Sequence, residues 1–249
     1  MDDEALLRYS RQIMLPEIDA AGQQALADAS VLLIGAGGLG SPAALYLGAA
    51  GVGRLVIADA DHVELSNLQR QIAHGTPDLG RPKVESARDA IHRLNPTVEV
   101  TPLPQRLEGD ALDEAVAGVD LVLDGSDNFA TRFAVNAACI RRRRPLVTAA
   151  VIRWEVQVAV FRGDRGEGPC YRCLFPETED QRETCSETGV AAPLPGVAGS
   201  LQALEALKLI TGAGEPLQGR LLIMDALSMR VRILHVPADP ECPVCSGPR

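Results

Sequence analysis

The chain is short of positive charge: its 249 residues carry Lys+Arg 24 against Asp+Glu 33, a formal net charge of -9, with a pI near 5.0. Capture of nucleic acid by phosphate neutralisation needs a clustered basic surface, so this balance argues against nucleic acid as a partner. Long apolar runs are also missing. The longest, near Ala43 to Val52, is broken by glycine and falls short of the ~20 residues a membrane helix requires. The start, MDDEALLRYSRQ, has neither the basic nor the apolar region of a secretory signal. A cytoplasmic protein with no membrane partner is expected. Histidine is scarce, and His62, His74, His92 and His235 form no spacing that suggests a proton relay or a metal cluster. Each is expected to be an ordinary surface or helix residue. Internal repeats and low-complexity tracts are absent.

What is present suits one large domain, since 46% of the residues are hydrophobic and can bury a substantial core. The first thirty residues read as a helical arm, with Leu6, Leu7, Ile13 and Met14 as its apolar positions and Arg8 and Arg11 able to share a face. Apolar runs follow at Val31 to Gly35, Leu55 to Asp59, Val98 to Leu103, Asp120 to Asp124 and Pro145 to Val151, with helical patterns such as Pro82 to Leu94 between them. Continuous apolar strands alternating with helices indicate a parallel sheet covered on both faces. After residue 150 the pattern changes: VQVAVF alternates, and RLLIMDAL and RVRILHV are close enough to pair antiparallel. The expected fold is α/β, Rossmann-like and doubly wound, its mainly parallel sheet becoming mixed or antiparallel in the C-terminal part. Pro176 to Gly196 reads as a polar, proline-bearing functional loop, followed by a helix over SLQALEALKLITG that Gly212 ends. The run Arg141 to Arg144 closes a helical pattern, where cations suit the helix dipole; a solvated helix end and a docking patch for an acidic partner are both open.

The stretch VLLIGAGGLGSPAALYL carries Gly35, Gly37 and Gly40 in the GxGxxG pattern, which combines a tight turn, close backbone approach to phosphate and a helix N-terminus facing negative charge. Asp59 follows about twenty residues on, where a carboxylate can hold both ribose hydroxyls. On these features alone an NAD-dependent oxidoreductase is the default. Two features pull away from it. Gly38 removes a side chain where a bulkier ligand group could press on the loop. Asn67, Arg70, Gln71 and Lys83 then gather polar and positive groups that a nicotinamide does not need and a triphosphate does. Asp127, in GSDN after DLVLD, sits where ligands of open α/β sheets bind and could hold a magnesium ion. Such a site lets an already ionised carboxylate attack an α-phosphate without a general base, giving an acyl-adenylate and pyrophosphate.

Cysteine totals 6, and in a cytoplasmic setting the CxxC pairs Cys170/Cys173 and Cys242/Cys245 point to metal ahead of disulfides. Two such knuckles complete a four-thiolate structural zinc clip with no open position. A redox role for the pairs is the competing reading. Cys139 falls in a helical pattern and is expected to be packing.

RYSRQ, GAGGLG, Asp59, SNLQRQ, GRPKVESA, the SDN triplet and the two CxxC pairs occur in this order along nearly the whole chain. Together they resemble the MoeB/ThiF group of ubiquitin-activating-like adenylyltransferases. The resemblance implies a homodimer that uses ATP, magnesium and a structural zinc to adenylate the C-terminal glycine of a ubiquitin-like sulfur carrier of the MoaD/ThiS type. The thiolated carrier would serve molybdopterin, thiamine or related products. Carried over by position, the resemblance places Gly38, Asp59, Ser66, Asn67, Leu68, Gln69, Arg70, Lys83, Asp127 and Asn128 around ATP. Arg70, Lys83 and Asp127 become catalytic, and Arg11 reaches in from the neighbouring protomer. Arg8 reads as solvated helix face, and Asp127 and Asn128 also suit a helix cap. The single domain, residues 1–249, then divides into the arm (1–30), a nucleotide-binding half (31–150) and a carrier-binding half with the clip (151–249). Cys185 occupies the position where some relatives form a transient link to the carrier. Some relatives continue into a sulfurtransferase domain after the clip; here a separate sulfur donor protein is expected. An oxidoreductase would leave Arg70, Lys83 and Asp127 without a purpose. A silent adaptor, which holds a partner without catalysis, could have lost them.

Overall fold

The computed structural model describes residues 1–166, 168–175 and 189–246. The arm comprises α1 (Asp3–Arg8), α2 (Ser10–Ile13) and α3 (Asp19–Asp28). Then follow β1 (Ser30–Ile34), α4 (Gly40–Ala50), β2 (Arg54–Ala58), α5 (Lys83–Leu94), β3 (Glu99–Leu103), α6 (Gly109–Ala117), β4 (Leu121–Asp124), α7 (Phe129–Arg141) and β5 (Pro145–Ile152). The chain continues through β6 (Glu155–Arg162), α8 (Tyr171–Leu174), α9 (Pro193–Thr211), β7 (Arg220–Asp225) and β8 (Arg230–His235).

These strands form one sheet in the order β3-β2-β1-β4-β5-β6-β7-β8. Pairing is parallel from β3 to β5 and antiparallel from β5 to β8, the mixed sheet that the change in pattern after residue 150 implies. The continuous apolar character of β1 has a direct cause. Val31 and Leu33 enter one core with Leu47 of α4, Ile91 of α5 and Ala203 of α9, while Leu32 and Ile34 enter the other with Val116 of α6 and Val135 of α7. A strand buried on both faces cannot afford alternation. Helix α5 shows the complementary pattern: Val84, Ala87 and Ile91 recur along one buried face. The strand order reverses between β1 and β4, and loops at the carboxyl ends of these strands open the crevice where doubly wound sheets bind ligands.

The arm is fixed by its motif. Tyr9 of RYSRQ is buried, its hydroxyl accepting from Asn95 Nδ2 at 2.8 Å, and Gln12 Nε2 donates to the Ala50 carbonyl at 3.0 Å. Arg8 is exposed on its helix face, as expected, and is also tethered there: its Nη1 donates to the Leu94 carbonyl at 3.0 Å and its Nη2 pairs with Glu4. Arg11 is exposed and makes no hydrogen bond or ion pair among the described residues.

One expectation changes. Helix α9 starts at Pro193, inside the stretch read as loop, because proline is well placed in a first helical turn, where its missing N–H would have no partner. The rest of that loop, with Cys185, falls mostly on residues 176–188, outside the described residues. The arginine run ends its helix exposed to solvent, as one of the two expectations has it, and its members also reach across to the neighbouring helix. Arg141 grips Asp113 of α6 at 3.1 and 2.7 Å, Arg142 joins it at 3.4 Å, and Arg144 donates to the Ala117 carbonyl. It clamps α7 to α6. Between β5 and β6 the chain turns through Arg153, at φ 54, and the exposed Trp154. No helix among the described residues is long and apolar enough to cross a membrane.

Candidate nucleotide site and cysteine clip

The glycine turn is set by close contacts that exclude side chains. A Cβ on Gly40 would stand 1.8 Å from the Gly35 carbonyl oxygen, and Gly35 adopts φ +91. Asp59 closes the turn from the end of β2: its Oδ2 accepts from Ala36 N at 2.7 Å and its Oδ1 from Asp61 N at 2.8 Å. The Asp59 carboxylate is thus held in one orientation by two backbone donors. Behind the turn, His74 Nε2 donates to the Ala36 carbonyl at 2.9 Å, so in the neutral ring Nδ1 accepts from the Ser86 hydroxyl at 2.9 Å. Burial lowers the His74 pKa below its usual value. His74 is therefore a buried strut of the glycine turn, not an ordinary surface or helix residue as its sequence suggests.

The cleft over this turn is lined by Gly38, Asp59, Arg70, Lys83, Asp127 and Asn128, all of them expected from the sequence. Lys83 is 6% exposed, and its Nζ is met by Asp61 Oδ2 at 2.8 Å. Arg70 lies over Gly38, with its guanidinium steadied by the Ser66 carbonyl at 3.0 Å. Asn128 caps α7, its Oδ1 accepting from Thr131 N at 2.9 Å. The capping role falls to Asn128, so the exposed Asp127 carboxylate is left to the cleft, with a hydrogen bond from Asn128 Nδ2 at 3.4 Å. An accessible carboxylate beside two cations suits a hard divalent cation bridging to phosphate oxygens.

Ser66, Asn67, Leu68 and Gln69 do not line the cleft. They form the turn that presents Arg70, with Asn67 Oδ1 accepting from Glu64 N at 3.2 Å. The room expected over Gly38 is filled from α9, because a Cβ there would meet Pro195 at 3.0 Å. Arg11 is also absent from this cleft; it borders a separate groove with Tyr46, Leu204 and Leu207.

Sequence reasoning missed several groups. Asp61 pairs with Lys83, and its position two residues after Asp59 was the available signal. Asp124 is buried beneath the cleft, where desolvation raises its pKa; its Oδ1 accepts from Ser126 N at 2.9 Å. Arg132 is 6% exposed, and its Nη2 donates to the Ser126 carbonyl at 2.6 Å. Nothing in the helical pattern around Arg132 distinguished it.

The four clip cysteines converge. Their ligand atoms all lie within 4.8 Å of one another, with Sγ separations of 3.7 Å for Cys170–Cys242, 3.4 Å for Cys173–Cys245 and 4.0 Å for Cys170–Cys173. A tetrahedral zinc with bonds of about 2.3 Å separates its sulfurs by about 3.8 Å, so the set fits zinc; disulfide bonds would bring pairs to about 2.05 Å. Backbone N–H groups of Cys170 and Asp239 point at Cys173 Sγ at 3.4 and 3.5 Å, as they would at a thiolate. Burial pushes the Cys170 thiol up to about 11, a penalty that a bound divalent cation reverses. Cys139 is packing, as expected: it is buried and its thiol is pushed up by desolvation.

Comparisons with known proteins agree with this geometry. Sequence relatives include the sulfur carrier protein ThiS adenylyltransferase of Escherichia coli, 49% identical over 99% of this chain and 98% of the relative. The molybdopterin-synthase adenylyltransferase of Salmonella typhimurium is 48% identical over 98% of each chain. Among solved structures, MccB of E. coli with ATP superposes with a TM-score of 0.84 at 23% identity, covering 96% of this chain and 75% of that one, a likeness of fold. The ThiF family signature matches residues 9–244, nearly the whole chain, and the chain belongs to the ThiF family.

Proposed function

We propose that the protein is an ATP-dependent adenylyltransferase that activates the C-terminal glycine carboxylate of a ubiquitin-like sulfur carrier, the kind of partner its relatives' names give. The observation that carries this reading is one cleft at the strand-order reversal holding the ribose-type carboxylate Asp59, the cations Arg70 and Lys83 and the accessible Asp127. Asp59 would hold the ribose, Arg70 and Lys83 the polyphosphate, and Asp127 a magnesium ion that offsets charge between nucleophile and phosphate. The carrier's carboxylate oxygen bonds to the α-phosphorus as the α–β bridging bond breaks, and pyrophosphate leaves with that electron pair. A carboxylate is already ionised at neutral pH, so no general base is needed. An oxidoreductase has no use for this cationic floor.

Arg11 completes the site from a second copy of the chain. It stands outside its own cleft, exposed, beside the exposed Leu7, Met14, Tyr46 and Leu204, an apolar face suited to a homodimer. The carrier docks on the half spanning 151–249, where Trp154, Leu227, Met229, Val231 and Ile233 leave apolar surface uncovered. Residues 1–30 and 31–150 serve as arm and nucleotide-binding half. A separate protein supplies the sulfur. The direct test is label exchange from pyrophosphate into ATP: exchange that requires a carrier with a free C-terminal glycine is expected, and its absence with ThiS-type and MoaD-type carriers alike overturns the reading.

A further inference from the structure

Helix α7 starts at the nucleotide cleft and reaches the cysteine clip. Asn128, Arg132, Asn136 and Ile140 follow one another in steps of four along a single ridge. Asn128 caps the helix at the cleft. Arg132 holds the Ser126 carbonyl, one residue before Asp127, and its guanidinium faces both the buried Asp124 carboxylate and the Tyr171 hydroxyl. Asn136 is 1% exposed; its Oδ1 accepts from Tyr171 N at 2.9 Å, while its Nδ2 finds no ordinary hydrogen-bond partner and faces the Cys170 thiol. Ile140 packs against the clip cysteines themselves.

The other side of this line is Tyr171, the residue after Cys170, which is 2% exposed. Its ring meets Phe133 at 5.6 Å, Phe161 at 6.1 Å and Phe175 at 4.9 Å, and Phe129 stacks on Phe133 at 6.1 Å. The sequence has Phe 4, and every one of them lies in this cluster. A chain so poor in aromatics has concentrated its phenylalanines where they lock the first cysteine knuckle onto α7.

We propose that Tyr171 and Arg132 are positioning residues that couple the cysteine clip to the loop bearing Asp127. With the clip closed, the Tyr171 hydroxyl accepts from the Arg132 guanidinium and fixes it beneath Ser126. That contact, with Ser126 N on Asp124, sets where the Asp127 carboxylate stands in the cleft. Zinc therefore acts on the nucleotide site without touching it. The consequence for catalysis rests on the adenylation reading; the coupling itself does not.

The test uses the full chain loaded with zinc, unaltered and as Tyr171→Phe, which keeps the ring and removes only the hydroxyl. Metal content is expected to stay the same. Amide hydrogen exchange over residues 125–128 is expected to quicken by about tenfold, the size of one hydrogen bond to a charged group. Pyrophosphate exchange is expected to lose about as much in kcat, with the KM for ATP unchanged because Asp59, Arg70 and Lys83 are intact. Removing zinc with a chelator should quicken the same amides in the unaltered protein and add little in Tyr171→Phe, since both act through one link. Arg132→Lys, which keeps the charge and loses the planar fork, should behave like Tyr171→Phe. Unchanged amide exchange at 125–128 in both variants, or additive effects of chelator and Tyr171→Phe, overturns the proposal. Lack of pyrophosphate exchange in the unaltered protein would instead refute the adenylation reading and leave the amide comparison standing.

Discussion

Replacing Lys83 by methionine separates what this residue does for folding from what it does for chemistry. Its ammonium is nearly buried, with a side-chain exposure of 7%, and its partner Asp61 is 69% exposed at 2.8 Å. A pair so open on one side is screened and contributes about 0–1 kcal/mol. Against that gain stands the desolvation of the ammonium, which methionine, of similar length and shape, does not incur. The two nearly cancel, so Lys83→Met should change stability by no more than about 1 kcal/mol in either direction. For a chain of this length that is a shift of about 2–4 °C in Tm. Transition-state chemistry is different, because losing one preorganised donor to developing phosphate charge costs about 3–4 kcal/mol, or roughly a hundredfold to a thousandfold in kcat. Calorimetric melting and pyrophosphate exchange on the same preparation measure both. A variant that melts more than about 10 °C below the parent, or keeps exchange within tenfold, contradicts the assignment of Lys83 to the phosphates.

Three other outcomes follow from the geometry. Gly40→Ala would put a Cβ 1.8 Å from the Gly35 carbonyl; with only backbone to give way, about 3 kcal/mol of stability should be lost, and a denaturant midpoint equal to the parent's would contradict that contact. The folded state keeps His74 neutral and lowers its pKa from 6.5, so below pH 6.5 the unfolded chain binds more protons than the folded one. Its contribution is complete above that pH and declines below it; melting from pH 5 to 8 should show a steeper acid-side loss in the parent than in His74→Gln, and parallel curves would sink the idea. Arg11→Ala and Lys83→Met, each inactive alone, should regain activity when mixed and allowed to exchange subunits, because one cleft of the mixed dimer is whole. Absence of recovery in a verified mixed dimer places Arg11 outside catalysis.

The legible part of the fold was the part governed by local burial. Strands β1, β2, β4 and β5 announce themselves because both faces are buried, and α5 because one face is. The cleft residues Asp59, Arg70, Lys83 and Asp127 were legible because each sits in a short motif at a strand end or turn. Arg132 was not, since its meaning depends on α8 arriving from forty residues downstream, and a lone arginine in a helical pattern carries no mark of that. His74 escaped for the same reason: its partners, Ala36 and Ser86, are far apart in sequence. The start of α9 was hidden by Pro193 and Pro195, which read as loop until the first-turn tolerance of proline is applied.

The turn between β5 and β6 holds the chain's one tryptophan, Trp154, which is 47% exposed. Fluorescence from an indole shifts when water leaves its ring, so emission excited at the red edge, where the tyrosines do not absorb, samples this tip and no other part of the molecule. The protein thus carries an optical reporter at a single known address, with no background from the nucleotide cleft to subtract.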